Sequence, residues 1–586
     1  MKKALLLIAF LYIGMHFLLA QTVQIKGTVT SAEDGSPIPG AAIQIKGTLY
    51  GVITDSNGKF QLDVPKGSQS LIVSFIGMKS IEITIGDKTE LNIALEPDVI
   101  GLDEVIVTAL GIQRSQKSLG YTVSSLSGDE TVMKSEPDLL RAIEGKLPGV
   151  DIKSTQGAPG ASTRINIRGF SSFFGNNEPL IVVDGIPYSN DEVVTSNQVS
   201  GNGGAYLSGL ATLDPNTIED VNILYGGTAA ALYGSRAANG VIIIKTKAGS
   251  TGKIMAKKGI GVTFNSSTGW EKISNLPEYQ NTYGNGAEFN YSNANGSWGP
   301  RFDSMDSIPV WPAYKKAFPN LFPGDSVAYV AQPNNVKSLF RTGHIYENSI
   351  TISGANDRSS FNTTASMLNH YGYIPESEFD RYSFSLGGMT KLNEKFTASS
   401  NFSYSRVNQI GSFFGENQFD GAASSFARNL FLGRTWDMTL PYEDKDGRPV
   451  STNPAQYDHP LWAFKHNKIT TISDRTMMGL NLDYTFLPWI SLKYSIGINN
   501  YTLNRKEVTD IGSRAAAGLG QIKEANYVNT EIESNFYIFM VKQINQNINL
   551  KATLGHNVNQ RTSTEQNYIG KEIIFPGIYD IDNILR

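Results

Sequence analysis

The sequence contains no cysteine. That absence excludes disulfides, thiolate metal sites, iron–sulfur clusters, a cysteine nucleophile and a lipidated N-terminal cysteine. It also lacks an excess of charge of one sign. Lys plus Arg number 50 and Asp plus Glu 54, a net charge of −4, which argues against a nucleic-acid partner. Charged residues are only 18% while hydrophobic residues are 40%, so uncharged polar residues are abundant. Beyond the N-terminus no run of 18 apolar residues occurs, which excludes a helical membrane protein. H-E-x-x-H and G-x-S-x-G are both missing, and His344, His370, His459, His466 and His556 show no zinc-ligand spacing. Asp444-Lys445-Asp446-Gly447 opens like a calcium loop, but Ala455 stands where an EF-hand needs Glu, so a plain turn is expected. Neither an enzyme, nor a metal, nor a cofactor is expected.

The 586 residues are too many for one compact domain. All six Trp and 46 of the 60 aromatic residues follow residue 257, so the composition breaks near 255. The chain begins MKKALLLIAFLYIGMHFLLA: Lys2 and Lys3, then an apolar run, then the small Ala20. Residues 1–20 read as a secretory signal peptide cleaved before Gln21.

Residues 21–97 show short strands at about ten-residue spacing, separated by Asn-Gly, Asp-Gly and Pro-Lys-Gly turns. About seven strands fit a Greek-key β-sandwich. Gly27, Val29, Gly35, Pro37, Gly40, Thr54, Asp55, Gly58 and Phe60 together resemble the carboxypeptidase-regulatory-like domain, which is not catalytic; this segment has no His. An accessory module or a folded spacer is implied.

Residues 98–112 read DVIGLDEVIVTALGI, an extended, β-prone linker with no obvious partner strand. Such a segment can add to the sheet edge of another protein. Residues 113–250 then carry five clusters in order: GKLPGV from Gly145, GAPG from Gly157, INIRG from Ile165, PLIVVDGIP from Pro179, and the run from Asp214 ending ALYGSRAANGVIIIKTK. Leu180–Gly185 reads as a buried strand with an Asp-Gly turn, Thr228–Leu232 as helix-prone, and Tyr233–Arg236 as a turn. A small mixed α/β domain is expected.

These motifs, in this order, resemble the plug of the SusC/RagA class of TonB-linked outer-membrane transporters. The resemblance implies a plug (residues 113–250) inside a barrel of about 22 strands. It makes Asp103, Glu104, Val105, Ile106, Val107, Thr108 and Ala109 a TonB box. It implies TonB with its inner-membrane motor proteins, a SusD-like lipoprotein lid, and an oligosaccharide or oligopeptide substrate. In the plug motifs, Arg168 and Arg236 are expected to pair with carboxylates that hold the plug in the wall, the alternative being direct contact with the ligand. Asp184 is expected to form a turn, and Gly169, Gly185 and Gly240 to meet backbone demands. A ligand-sensing outer-membrane receptor that signals through its N-terminal domain is the alternative.

Residues 258–586 alternate apolar and polar side chains with period two. Tyr382, Phe384 and Leu386 oppose Ser383, Ser385 and Gly387; Leu480, Leu482, Tyr484 and Phe486 oppose Asn481, Asp483 and Thr485. Nine strands are expected, near 259–269, 346–355, 360–370, 380–391, 395–408, 475–486, 489–503, 531–543 and 547–558. After the first strand, short and long connections alternate, as in outer-membrane barrels with short periplasmic turns and long external loops. Nine strands do not close a barrel of about 22, and an open edge is not tolerated in lipid. The expectation is the N-terminal part of a transmembrane barrel, from a fragment or a truncated product. The fold class is therefore mainly β: sandwich, α/β plug and partial barrel.

Overall fold

The computed structural model describes residues 22–585 apart from 33, 47, 49, 66–69, 76–77, 87, 97–104, 108–112, 116–122, 133–135, 137, 155–156, 171, 174–176, 191–203, 227–232, 250–258, 294–295, 414–431, 455–456 and 546–547. The expected signal peptide and the helix-prone stretch Thr228–Leu232 fall outside the described residues.

The first unit holds seven strands: β1 (Thr22–Ser31), β2 (Ala42–Ile45), β3 (Gly51–Ile53), β4 (Lys59–Pro65), β5 (Ser70–Ser74), β6 (Ile81–Thr84) and β7 (Glu90–Leu95). They form two sheets, ordered β4-β1-β7 and β3-β2-β5-β6. In β4 every second residue is buried, so Phe60, Leu62 and Val64 enter the core while Gln61 and Asp63 face water. Ile25, Val29, Ile43, Val73 and Ile93 fill the same core. Buried Thr54 ties two segments: its hydroxyl accepts from the Ala41 amide at 2.8 Å and donates to the Ile38 carbonyl at 2.7 Å.

β8 (Val105–Val107) and β9 (Gln113–Ser115) pair as a two-stranded sheet. The linker strand therefore has a partner within its own chain, a correction to the sequence reading. The pairing partner sits just past Gly111, too close in sequence to stand out as a separate strand.

The central domain contains β10 (Val123–Ser127), β11 (Val150–Ser154), β12 (Thr163–Ile167), β13 (Leu180–Val183), β14 (Ile186–Pro187), β15 (Ile218–Leu224) and β16 (Val241–Thr246). β10-β15-β16-β13-β14 form one mixed sheet and β11-β12 a hairpin. Only β13 and β16 run parallel in the mixed sheet. A short helix, Leu139–Ile143, is capped by Asp138, which accepts from the Leu140 amide at 2.9 Å. Leu139, Leu140 and Ile143 pack with Ile181, Val183, Val221 and Ile242. The expected turn at Tyr233–Arg236 is a 3₁₀ turn over Gly234–Ala237.

The largest sheet begins at β17 (Gly259–Glu271). The long connection after it carries a small hairpin, β18 (Ser307–Pro309) with β19 (Ser326–Ala328). The sheet continues with β20 (Gly343–Ala355), β21 (Ser359–Tyr371), β22 (Glu378–Asn393), β23 (Phe396–Ser412), β24 (Lys468–Leu487), β25 (Ile490–Thr509), β26 (Gln521–Asn545) and β27 (Ile548–Lys571). These nine strands pair antiparallel, each with the next in sequence.

The nine expected strands are present, but several are longer than expected on the long-connection side. The expected 504–530 connection shrinks to 510–520, because β25 and β26 stay paired through Thr509 and Gln521. The added stretches, such as Gln521–Thr530, are polar, so their ladder continues where the apolar alternation has faded. No described helix is long and apolar enough to cross a membrane.

The sheet's two faces are sorted in an unusual sense. Tyr382, Phe384 and Leu386 of β22 are exposed, while Ser385 is buried against the central domain. An added Cβ at Gly387 would lie 2.0 Å from the Ala248 carbonyl oxygen, so the central-domain backbone touches the sheet there.

Candidate functional site

The central domain rests against the sheet through polar side chains and through small apolar clusters, among them Leu207 and Ala211 with Leu368, Phe379 and Val407. The motif Asp214-Pro215-Asn216-Thr217 forms a 3₁₀ turn, with Pro215 in its first position and Asp214 as its cap. Asp214 accepts from the Asn216 amide at 2.9 Å and from Ser366 on β21. The Arg381 guanidinium of β22 lies 3.5 Å from Asp214 and donates to the Ala211 and Leu213 carbonyls, each at 3.3 Å. Asn216 donates to Glu347 of β20 at 2.6 Å and accepts from Ser349 at 3.2 Å. Asp214, Asn216, Ser349 and Arg381 are all buried.

A second contact centres on Asp184. It and Gly185 have φ of 50° and 86°, the tight turn between β13 and β14 expected from Asp-Gly. Its side chain does more than shape the turn. It accepts from the Thr246 amide at 2.9 Å, the Thr246 hydroxyl at 2.6 Å and the Asn401 amide of β23 at 3.0 Å. Burial pushes the Asp184 carboxyl above its ordinary pKa, although the bonds from Thr246 oppose that shift. Asp184 and Arg236 also line a cavity of about 490 Å³, together with Asn401, Asp483, Lys493 and Glu533 of the sheet.

Arg236 donates to Glu531 of β26 at 2.8 Å, and Asn559 of β27 donates to the same carboxylate at 2.9 Å. Glu531 is buried and Arg236 partly exposed. Arg168 does not share this arrangement. Its guanidinium lies 4.4 Å above the Tyr225 ring, within the central domain, where a carboxylate partner was expected. Arg168 has φ of 58° and its amide donates to the Gly149 carbonyl, so the local turn directs the side chain back over Tyr225. Gly169 and Gly240 have φ of 93° and 96°, the left-handed backbone that favours glycine.

Sequence reasoning missed the sheet's half of this seat: Glu347, Arg381, Asn401, Arg475 and Glu531. Arg475 of β24 is flanked by the rings of Tyr188 and Tyr501, at 3.7 and 4.2 Å, and donates to the Ser189 carbonyl at 3.0 Å. Their strand parity carried a signal, since each lies on the face opposite the exposed aromatics. Nothing in the sequence said which of them would meet the central domain. Of the TonB-box residues, Val105, Ile106 and Val107 form β8, while Asp103, Glu104, Thr108 and Ala109 lie outside the described residues.

Beyond the sheet, His466 ends the helix Pro460–His466 between two carboxylates, Asp510 at 2.8 Å and Glu443 at 2.9 Å. Burial lowers its pKa, but the hydrogen bonds it makes to both carboxylates outweigh that and raise the net value. Asp444–Gly447 is a turn in which Asp444 accepts from the Asp446 and Arg448 amides. Among the described residues no group of three His, Cys, Asp or Glu is placed to hold a metal ion.

Comparison with known proteins agrees with this architecture. Residues 25–107 match the CarboxypepD_reg-like domain and residues 115–241 the TonB-dependent receptor plug domain. The TonB-dependent receptor SusC of Bacteroides thetaiotaomicron is 28% identical over 510 residues, covering 85% of this chain and 46% of that protein. A TonB-dependent receptor of Formosa agariphila is 30% identical over 408 residues, covering 69% of this chain and 36% of its own length. The chain thus spans between about a third and a half of the relatives it matches. The open-open state of the RagAB peptide importer has a similar fold, with a TM-score of 0.62 at 20% identity, covering 82% of this chain and 52% of that one.

Proposed function

We propose, from the premise that this chain is a SusC-like TonB-dependent receptor and not an enzyme, that it takes part in importing oligomeric nutrients across an outer membrane. The polar seat between plug and sheet carries this reading. Beside small apolar clusters, such as Leu207 with Phe379 and Val407, the contacts include hydrogen bonds of Asp184, Asp214, Asn216 and Arg236, which water can replace as the plug moves. The exposed aromatic and aliphatic side chains of the sheet suit lipid on its outer side.

In this reading, residues 1–20 direct export and are removed. Substrate binds outside under a SusD-like lid, and TonB with its inner-membrane motor pairs with Asp103–Ala109 and pulls. β8 pairs with β9 along one edge, which leaves its other edge for TonB to add to. The plug motifs around Arg168, Gly169, Asp184, Gly185, Arg236 and Gly240 then release or reseat. The substrate class proposed is an oligosaccharide or an oligopeptide, and no cofactor takes part.

The test is deletion of residues 103–109 from the full-length gene. Loss of growth on the imported nutrient, with the receptor still in the outer membrane, is expected. Unchanged uptake would overturn the reading.

A further inference from the structure

We propose that the connection between β17 and β20 carries a binding subsite for a neutral saccharide ring, built on Tyr283, Phe289 and Trp298; this rests on the import reading and adds a ligand class and a place. Residues 277–304 contain six aromatics among Gly, Asn and Ser, yet no Leu, Ile, Val or Met. Three of the six converge. Ring centroids lie 5.9 Å apart for Tyr283–Phe289, 5.7 Å for Tyr283–Trp298 and 6.2 Å for Phe289–Trp298. Trp298 is tilted 35° to each neighbour, which makes a shallow open cleft.

Phe289 and Trp298 remain 60% and 59% exposed. That is not for want of a core nearby. Trp311 of the same connection is buried with Tyr314 and Phe322, and Trp436 of a later one is buried with Tyr457. The backbone holds the outer rings out. Glu288 and Phe289 are consecutive non-glycine residues with φ of 52° and 61°, a conformation that persists only where its surroundings impose it. Here the Phe289 amide donates to the Trp298 carbonyl at 3.0 Å, and the Trp298 amide to the Gly286 carbonyl at 3.2 Å.

The cleft is also anchored from below. Buried Asn285 accepts from the Thr435 amide at 3.1 Å, and Arg434 donates to Asn281 at 3.1 Å and to the Gln332 and Pro333 carbonyls. A platform fixed before the ligand arrives loses little entropy on binding.

The chemistry selects the ligand. The negative faces of aromatic rings attract polarised C–H groups, which a pyranose presents on its flat faces. Its hydroxyls point to the edge, where Asn290 and the Arg301–Asp303 pair offer donors and acceptors, while Gln280 is spent on holding the loop backbone. Arg301 is the sole Lys or Arg in 277–304, and Asp303 engages it through two bonds of 2.9 and 2.8 Å. With Glu278 and Glu288 also nearby in sequence, the segment disfavours an anionic ligand.

The experiment uses the full-length receptor, purified in detergent, on an array of neutral oligosaccharides of defined linkage. Phe289→Ala, Trp298→Ala and Trp298→Phe are run beside it. Wild type should retain at least one glycan, each alanine variant should weaken it by about tenfold, and Trp298→Phe should restore most of the loss. Both side chains are exposed, so the variants should insert and fold as wild type does. The proposal is overturned if no glycan is retained, if both alanine variants bind as wild type does, or if they lose a co-purifying lipoprotein or a peptide instead. Deleting residues 103–109 separates the two readings: uptake lost with glycan binding intact supports import, and uptake unchanged with tenfold weaker binding in the alanine variants leaves the subsite standing without it.

Discussion

The sandwich and the nine-stranded sheet use the same period-two alternation in opposite senses. In β4, Phe60, Leu62 and Val64 are buried and Gln61 and Asp63 exposed. In β22, Tyr382, Phe384 and Leu386 are exposed, and Arg381 and Ser385 buried. The first pattern hides carbon from water. The second turns much of its carbon outward and keeps polar groups, with a few apolar ones such as Phe379, for the plug. Alternation alone therefore fixes which residues share a face, and the chemistry of the opposing layer decides which face is inside.

The largest expected effect tests the first half of that contrast. Leu62→Ala should destabilise the sandwich by about 2–5 kcal/mol, because it leaves a cavity in a small core. Urea unfolding of residues 21–97 would measure it, and a loss under about 1 kcal/mol would mean the core repacks freely.

The next test sharpens the second half. Phe384→Arg, on the exposed face of β22, should cost about 2–4 kcal/mol if that face meets lipid and almost nothing if it meets water. Gln61→Arg, on the exposed face of β4, should be neutral either way. Folding of the full-length protein into vesicles distinguishes these outcomes.

Much of this contrast was legible in the sequence. The strand count, the alternation and the Asp-Gly turn at Asp184 all follow from local rules. The strand ends on the long-connection side did not, because Gln521–Thr530 pairs through its backbone with no apolar stripe to announce it. The seat was half legible. Arg236 and Asp184 stand in motifs, but Glu531 and Asn401 are ordinary inward-facing polar residues until the plug is placed against them. Arg168 shows the limit of reading by charge: its guanidinium sits over the Tyr225 ring of the plug itself, not against a carboxylate of the wall.

Smaller effects probe the seat. Arg236→Ala removes the partner of buried Glu531, and because Arg236 is itself partly exposed a cost of about 1–2 kcal/mol is expected, below that of a fully buried pair. Asp184→Ala should loosen the β13–β14 turn, whereas Asp184→Asn keeps a residue tolerant of positive φ and should be milder. Hydrogen exchange of that turn in the full-length protein would rank the two.

The smallest effect is pH-dependent. His466 has a raised pKa, so its contribution is full below the ordinary value of 6.5 and is lost as pH rises through the raised one. The helix Pro460–His466 should exchange faster above that range, and His466→Gln should abolish the dependence. An equal pH response in the variant would locate the effect elsewhere.

The most direct test exploits the absence of cysteine from these 586 residues. Asn216→Cys with Ser349→Cys places two thiols where the plug turn meets β20. In the full-length receptor, a disulfide formed there should stop nutrient uptake, and a reductant should restore it. Uptake that continues with the bridge intact would contradict the claim that the plug must leave its polar seat.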